Sequence, residues 1–245
     1  MKRDDLLHPF VSGNKIRKLK YNIETIKKNN YKRMLTFGGA FSNHLAAVAF
    51  AGFEHGFETI GVVRGEELAD QVGRNPTLRF AQQHGMKLEF VSREQYRNRN
   101  NLDFIKNLQN TFEADFYLPE GGTNELAIKG CAEILLPSDQ HYDYICCSMG
   151  TGGTVLGLIE AAKIHQTVIG FSALQGNFLP SEIASRTHKT NWMVDNSFHF
   201  GGYGKVTDEL ILFINNFKTT YQIQLDPVYT GKMMFGVFEK IKNNE

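Results

Sequence analysis

Charge of one sign is scarce in this chain: 27 Lys and Arg are matched by 26 Asp and Glu, a formal net charge of +1. Such a balance supplies no basic face for nucleic acid and no attraction to an anionic membrane surface. Three cysteines, two of them adjacent at Cys146 and Cys147, make neither a disulfide framework nor zinc-ligand spacing, so no metal is expected. No apolar run reaches the length of a membrane span. Met1 to Leu6 is polar and charged rather than leader-like, and a reducing cytoplasm is the expected setting. Internal repeats and low-complexity linkers are missing too. What remains is an ordinary globular composition, 42% hydrophobic and 22% charged, over 245 residues, enough for one large domain or two small ones.

The hydrophobic pattern alternates between the two common periods. A helix is expected over about 14–29, with Leu19 and Ile23 on one face, then a short strand at 31–37 ending in Gly38-Gly39. An Ala- and Val-rich helix follows at 43–55, a strand at 58–64, a helix opened by Asn75-Pro76 and stopped by Gly85, and a strand at 87–91. The polar run Ser92 to Asn101, with Arg93, Arg97 and Arg99, reads most simply as a solvated loop and helix start. Beyond it come a helix at 102–112, a strand end at 116–119, a helix to about 136, and a continuous apolar run at 142–147 that suits a buried parallel strand. The second half continues with a helix at 155–165, a strand at 167–173, an irregular stretch at 174–205, and helices at 208–218 and 229–242. Strand and helix in turn, with short polar joints, predict an α/β protein with parallel sheets and crossover helices.

Several short stretches stand out chemically. Ser12-Gly13-Asn14-Lys15-Ile16-Arg17-Lys18 delivers Lys15 where a loop becomes a helix. A lysine partly desolvated beside other cations loses part of its proton affinity and becomes a nucleophile; read alone, the same stretch is a basic surface helix. Ser148-Met149-Gly150-Thr151-Gly152-Gly153-Thr154 sits between a strand and a helix. Its glycines and helix-start amides suit a phosphate. No Gly-Lys-Ser/Thr follows, and Val155 stands where a dinucleotide fingerprint needs its last glycine, so phosphate is favoured over ATP or NAD. Gly38-Gly39-Ala40-Phe41-Ser42-Asn43-His44 is a second glycine-led strand-to-helix turn. Ser42 or Asn43 reads first as a helix N-cap, and second as a ligand contact at a strand's carboxyl end. Asp226-Pro227-Val228-Tyr229-Thr230-Gly231 opens the last helix with two candidate caps, and Gly201-Gly202-Tyr203-Gly204 presents one tyrosine from a tight loop.

In this order, from Lys2-Arg3-Asp4-Asp5 to the last helix, the motifs resemble the D-cysteine desulfhydrase / 1-aminocyclopropane-1-carboxylate deaminase family. The resemblance implies a pyridoxal 5'-phosphate enzyme of the tryptophan synthase β-subunit-like fold type II: two open, twisted, mostly parallel sheets with flanking helices and the cofactor between the domains. It implies a large domain formed by 1–29 and 126–245 and a small inserted domain at 30–125. By the same resemblance Lys15 is the Schiff-base lysine, Lys18 reaches the cofactor phosphate, and Thr151, Gly152, Gly153 and Thr154 form the phosphate loop. Asn43 partners the ring hydroxyl, Ser42 lies near the substrate carboxylate and the labile proton, Tyr203 and Tyr229 pair over the substrate, and Thr230 faces the pyridine nitrogen.

The family's deaminases carry a carboxylate after the second tyrosine and a glutamine after Ser-Asn; this chain carries Thr230 and His44. Both differences favour α,β-elimination from a small amino acid, most of all a D-cysteine desulfhydrase-like reaction giving pyruvate, sulfide and ammonia. The alternatives are 1-aminocyclopropane-1-carboxylate deamination, a shortened homologue that binds the cofactor without turnover, and a phosphosugar or nucleotide binder using only the glycine loop. Relative to the family pattern the chain reads as shortened at both ends. A homodimer is the family's common state.

Overall fold

The computed structural model describes residues 1–244. By the density of its internal packing the chain divides into two compact units, Met1–Gly130 and Cys131–Glu245.

The first unit is built on a four-stranded parallel sheet in the order β3-β2-β1-β4, from β1 (Arg33–Gly38), β2 (Glu58–Arg64), β3 (Lys87–Val91) and β4 (Phe116–Leu118). Side chains alternate across a strand. Leu35, Phe37, Ile60 and Val62 therefore point to one face, where they pack with Ile105 of α5 (Leu102–Phe112) and Tyr96 of α4 (Arg93–Tyr96). Met34 and Val63 point to the other face, toward α1 (Asn14–Asn29), α2 (Asn43–His55) and α3 (Pro76–Gln83), through Leu19, Ile26, Leu45, Val48 and Leu78. Both faces are covered, which is why the strands read as apolar runs. Helix boundaries follow local chemistry. Pro76 opens α3 with Asn75 accepting from the Leu78 amide, and α1 stops at Asn30 in the left-handed conformation. Phe10 stacks on Phe50 of α2 at 4.6 Å between ring centres, and Asp4 accepts both arms of the Arg17 guanidinium at 3.1 Å, so the N-terminal residues are tied to two helices.

The second unit has a three-stranded parallel sheet, β5-β6-β7, from β5 (Tyr144–Met149), β6 (Thr167–Ser172) and β7 (Trp192–Asp195). It also holds α7 (Gly153–Ala161), α8 (Leu179–Ala184), α9 (Asp208–Tyr221) and α10 (Thr230–Lys242). Helices α9 and α10 meet through aromatic rings, Phe213 against Phe235 at 5.2 Å and Phe217 against Phe238 at 5.8 Å. Three sequence expectations need correction here. The run at 142–147 is not a fully buried strand, because β5 is the edge of its sheet and leaves Tyr144 66% exposed. The stretch 174–205 holds α8 and β7, whose few residues are too short for a readable period. The helix before β5, α6 (Glu125–Ala132), ends well short of Leu136.

Candidate active site

Two groups of residues carry chemistry, one in each unit. In the first unit, Gly13 starts α1 with a φ of +61°, and Lys15 follows in the first turn. Lys15 Nζ donates to the Gly121 carbonyl at 3.2 Å, and Lys18 Nζ donates to the same oxygen at 2.9 Å and to Thr123 Oγ1 at 3.0 Å. Lys18 is only 2% exposed, so its ammonium depends on these acceptors. The acceptors sit in the turn after β4, where Gly121 and Gly122 have φ of 70° and 72°. One turn further along α1, Asn22 and Asn124 exchange side-chain hydrogen bonds, Asn124 Nδ2 to Asn22 Oδ1 at 2.7 Å, and fasten the start of α6 to the lysine helix.

His44 faces the same turn. A Cβ added at Gly122 would stand 3.2 Å from His44 Nδ1, so glycine is needed there for space as well as for backbone angle. Thr36 Oγ1 lies 2.8 Å from His44 Nε2 and gives its one hydrogen to the Leu118 carbonyl at 2.8 Å. Toward the ring it can therefore only accept, which puts the imidazole hydrogen on Nε2 and leaves Nδ1 a bare lone pair. Nδ1 is buried without a hydrogen-bond partner among the described residues. Burial first, and then the charges of Lys15 and Lys18, hold the His44 pKa well below its ordinary value.

An unfolded histidine takes up a proton near pH 6.5, whereas folded His44 refuses it until the pH is well below that. Stability is thus fully present above pH 6.5 and is lost as the pH falls through the window beneath it. Urea unfolding of the wild type and of His44→Gln should show the wild type losing about 1.4 kcal/mol more than the variant between about pH 7.5 and pH 5.5. Equal losses in the two proteins would mean that His44 is not held neutral.

Ser42 and Asn43 lie at the start of α2. Ser42 is the N-cap, accepting from the Leu45 amide at 3.3 Å, and Asn43, exposed, is the first helical residue. The capping reading of this turn is the one the structure uses for Ser42. Capping does not exhaust a hydroxyl, which keeps its hydrogen for another acceptor.

In the second unit, β5 runs out at Met149 and the chain turns through Gly150, Thr151 and Gly152 into α7. Gly152 is the N-cap, with a φ of +79°, and a glycine offers the first-turn amides no oxygen. That is the geometry of an anion cradle: backbone donors at the positive end of a helix, with two threonines alongside, Thr154 buried and Thr151 exposed. A Cβ at Gly150 would come 3.0 Å from the ring of Tyr229, so the loop and this tyrosine lie against each other. Tyr229 in turn meets Tyr203 edge to face, with ring centres 6.1 Å apart. The loop carrying Tyr203 is held from below by buried Lys232, which donates to the His199 and Gly202 carbonyls at 2.8 Å each. Burial lowers the Lys232 pKa, with Asp226 pulling the other way.

Asp226 organises the start of α10. Its carboxylate accepts from the amides of Val228, Tyr229 and Thr230 at 2.9, 2.7 and 2.9 Å and from the Thr230 hydroxyl at 2.6 Å. Thr230 Oγ1 also accepts from the Asp226 amide at 2.9 Å. The sequence marks both residues as caps; the geometry gives the carboxylate the main part. Asp226→Ala should cost about 2 kcal/mol through the lost cap, read by thermal or urea unfolding, and should also release Tyr229 from its place over Gly150. An unchanged stability would contradict this.

Residues that local patterns do not announce are Asn22, Gly121, Thr123, Asn124 and Lys232, each defined by a partner distant in the chain. A partial signal existed for Asn22, a polar residue on the apolar stripe of α1. No helix among the described residues is long and apolar enough to cross a membrane, and among them no cluster of His, Cys, Asp and Glu is arranged to hold a metal ion.

The pyridoxal-phosphate dependent enzyme family matches residues 1–237. A protein of Thermotoga maritima, provisionally named 1-aminocyclopropane-1-carboxylate deaminase, is 30% identical over all of this chain and 84% of its own length. The Arabidopsis thaliana bifunctional D-cysteine desulfhydrase/1-aminocyclopropane-1-carboxylate deaminase is 25% identical, covering 98% of this chain and 67% of its own. Among solved structures, one described as an ACC deaminase homologue superposes with a TM-score of 0.82 at 24% identity, covering all of this chain and 79% of that one.

Proposed function

The chain belongs to the pyridoxal-phosphate dependent enzyme family, and from that premise we propose that it eliminates the β-substituent of a small amino acid in the manner of D-cysteine desulfhydrase. The coarser statement needs no proposal: its curated relatives carry the names of both activities, deaminase and desulfhydrase. The residue that tips the choice is Thr230. By the family resemblance the deaminases carry a carboxylate after the tyrosine that Tyr229 matches, which would keep the pyridine nitrogen protonated. Thr230 supplies a neutral hydroxyl instead, and its hydrogen already lies on Asp226 Oδ2 at 2.6 Å. Donation to a ring nitrogen would require giving up that bond, so the pull on the ring is weak. Cyclopropane opening needs a strong electron sink; expulsion of a β-thiolate needs less.

The side chains at these two helix starts suit the cofactor. A lysine at a helix start, a second lysine sharing its carbonyl acceptor, and a glycine-led helix start for a dianion are the donors it calls for. When bound, pyridoxal phosphate supplies the electron sink for the charge left as the α-proton departs. The roles of the protein groups are then as follows. Lys15 Nζ anchors the cofactor and carries the α-proton, while the amides of Gly153 and Thr154, with the hydroxyls of Thr151 and Thr154, hold the phosphate. Lys18 fixes the Gly121 carbonyl in front of Lys15 and adds positive charge for the phosphate. Asn43 meets the ring hydroxyl. Ser42, at the positive end of α2, holds the substrate carboxylate. Tyr203 and Tyr229 shield the leaving group from water and orient it. Cysteine and one water then yield sulfide, pyruvate and ammonia. The proposal also takes 1–29 with 126–245 as the larger domain, 30–125 as the smaller, and a homodimer as the working unit.

The test is product analysis of the cofactor-loaded protein. D-cysteine should give equimolar sulfide and pyruvate, with 1-aminocyclopropane-1-carboxylate untouched. Release of 2-oxobutyrate from the latter would assign the deaminase instead. A cofactor absorbance band with neither product would mean binding without turnover.

A further inference from the structure

The arginine-bearing run Ser92 to Asn101, read from sequence as a solvated loop, takes part in something more specific. A cavity of about 310 Å³ in the first unit is lined by Arg64, Arg93, Tyr96, Arg97, Arg99 and Glu120. Its walls come from the carboxyl end of β2 (Arg64), the segment after β3 (Arg93 to Arg99) and the turn after β4 (Glu120). Open parallel sheets take their ligands outside the carboxyl ends of their strands.

The charges of this cavity do not balance. Glu120 is the one carboxylate in the lining, and it is already committed. It accepts from the Tyr96 hydroxyl at 2.7 Å and from Arg99 Nε at 2.6 Å. Tyr96 is a buried anchor, and its pKa is pushed far up, by burial first and then by Glu120, so the phenol stays a donor and keeps the carboxylate turned toward Arg99. Arg93 leans outward to Glu67, 2.8 Å away. Arg64 and Arg97 make no ion pair among the described residues. Four guanidinium groups therefore meet two carboxylates, and the surplus of two positive charges faces the cavity. Like charges brought into one lining from three chain segments repel, and a bound anion would offset that cost. A guanidinium presents a planar fork of donors that matches phosphate oxygens, and a tetrahedral dianion can accept such forks from several directions at once where a single carboxylate cannot.

We propose that this cavity is a binding site for the phosphate group of a small molecule, separate from the glycine loop before α7 and held by Arg64, Arg97 and Arg99. It stands independently of the reaction proposed above, since it uses none of those residues. It does touch them in one respect: Glu120 precedes Gly121, whose carbonyl receives Lys15 and Lys18. An occupant that draws Arg99 away from Glu120 would loosen that turn.

Titration calorimetry of the purified protein with inorganic pyrophosphate, at constant chloride, tests the proposal. The readout is the arginine-dependent part of the binding, so occupancy of the glycine loop does not confuse it. Arg97→Ala and Arg64→Ala, both at exposed positions that leave the fold alone, should each weaken one saturable site at least tenfold. Arg97→Lys should fall between wild type and alanine, and Arg74→Ala, outside the lining, should change nothing. The wild-type affinity should fall steeply with added salt. No saturable pyrophosphate binding, or binding that Arg64→Ala and Arg97→Ala leave intact, overturns the proposal.

Discussion

Lys15→Ala is expected to fold normally and to lose turnover by on the order of a thousandfold or more. Folding should survive because Lys15 is only half-buried and the carbonyl it touches keeps a second donor. Gly121 O still receives Lys18 Nζ at 2.9 Å when the 3.2 Å bond from Lys15 is gone. Catalysis should not survive, because the proposed function gives the covalent anchor and the proton carrier to the same nitrogen. Lys18→Ala is the instructive contrast. It removes donors from Gly121 O and Thr123 Oγ1 and empties a buried position, so its loss of activity should come with a loss of stability. Stopped-flow or steady-state sulfide release, set beside a melting curve for each variant, separates the two. A Lys15→Ala protein with more than a tenth of wild-type turnover would contradict the assignment.

Gly130→Ala should be the most damaging small substitution in the first unit. Gly130 lies in α6, and a Cβ there would stand 2.1 Å from the Arg17 carbonyl oxygen and 3.0 Å from its carbon. Both are backbone atoms of the lysine helix, so no side chain can swing aside. One helix must move off the other. Overpacking of this severity costs about 3 kcal/mol, and a domain of this size should then melt about 6–12 °C lower. Displacement of α1 carries Lys15 and Lys18 with it, so activity should fall even in the fraction that remains folded. Gly73→Ala, where an added Cβ meets nothing within 4 Å and φ is ordinary, is the matched control and should be nearly silent. Equal melting temperatures for the two variants would remove the close helix contact from the account.

These two residues mark what the sequence discloses and what it hides. The place of Lys15 at a loop-to-helix start is a local pattern, and the same holds for the glycine turn before α7 and for the strand and helix alternation; the chemistry proposed for them rests on the family resemblance. Gly130 was not legible, because its importance lies in Arg17, more than a hundred residues away in the chain. The tautomer of His44 depends likewise on Thr36 and Leu118, and the Lys18 acceptors on a turn after β4. Length limited the rest. Helix α8 and strand β7 are too short to show a period, and an edge strand such as β5 has the same composition as a buried one. The turn at Asp226 falls between these cases: both caps were visible, but their division of labour needed the distances.

Reduction of the cofactor-loaded protein with borohydride, followed by peptide mapping, tests the central claim most directly. The account predicts a phosphopyridoxyl group on the chymotryptic peptide spanning 11–21, and fragmentation should place it on Lys15. Its recovery on Lys18, Lys20 or a lysine elsewhere, or no modified peptide at all, would contradict it.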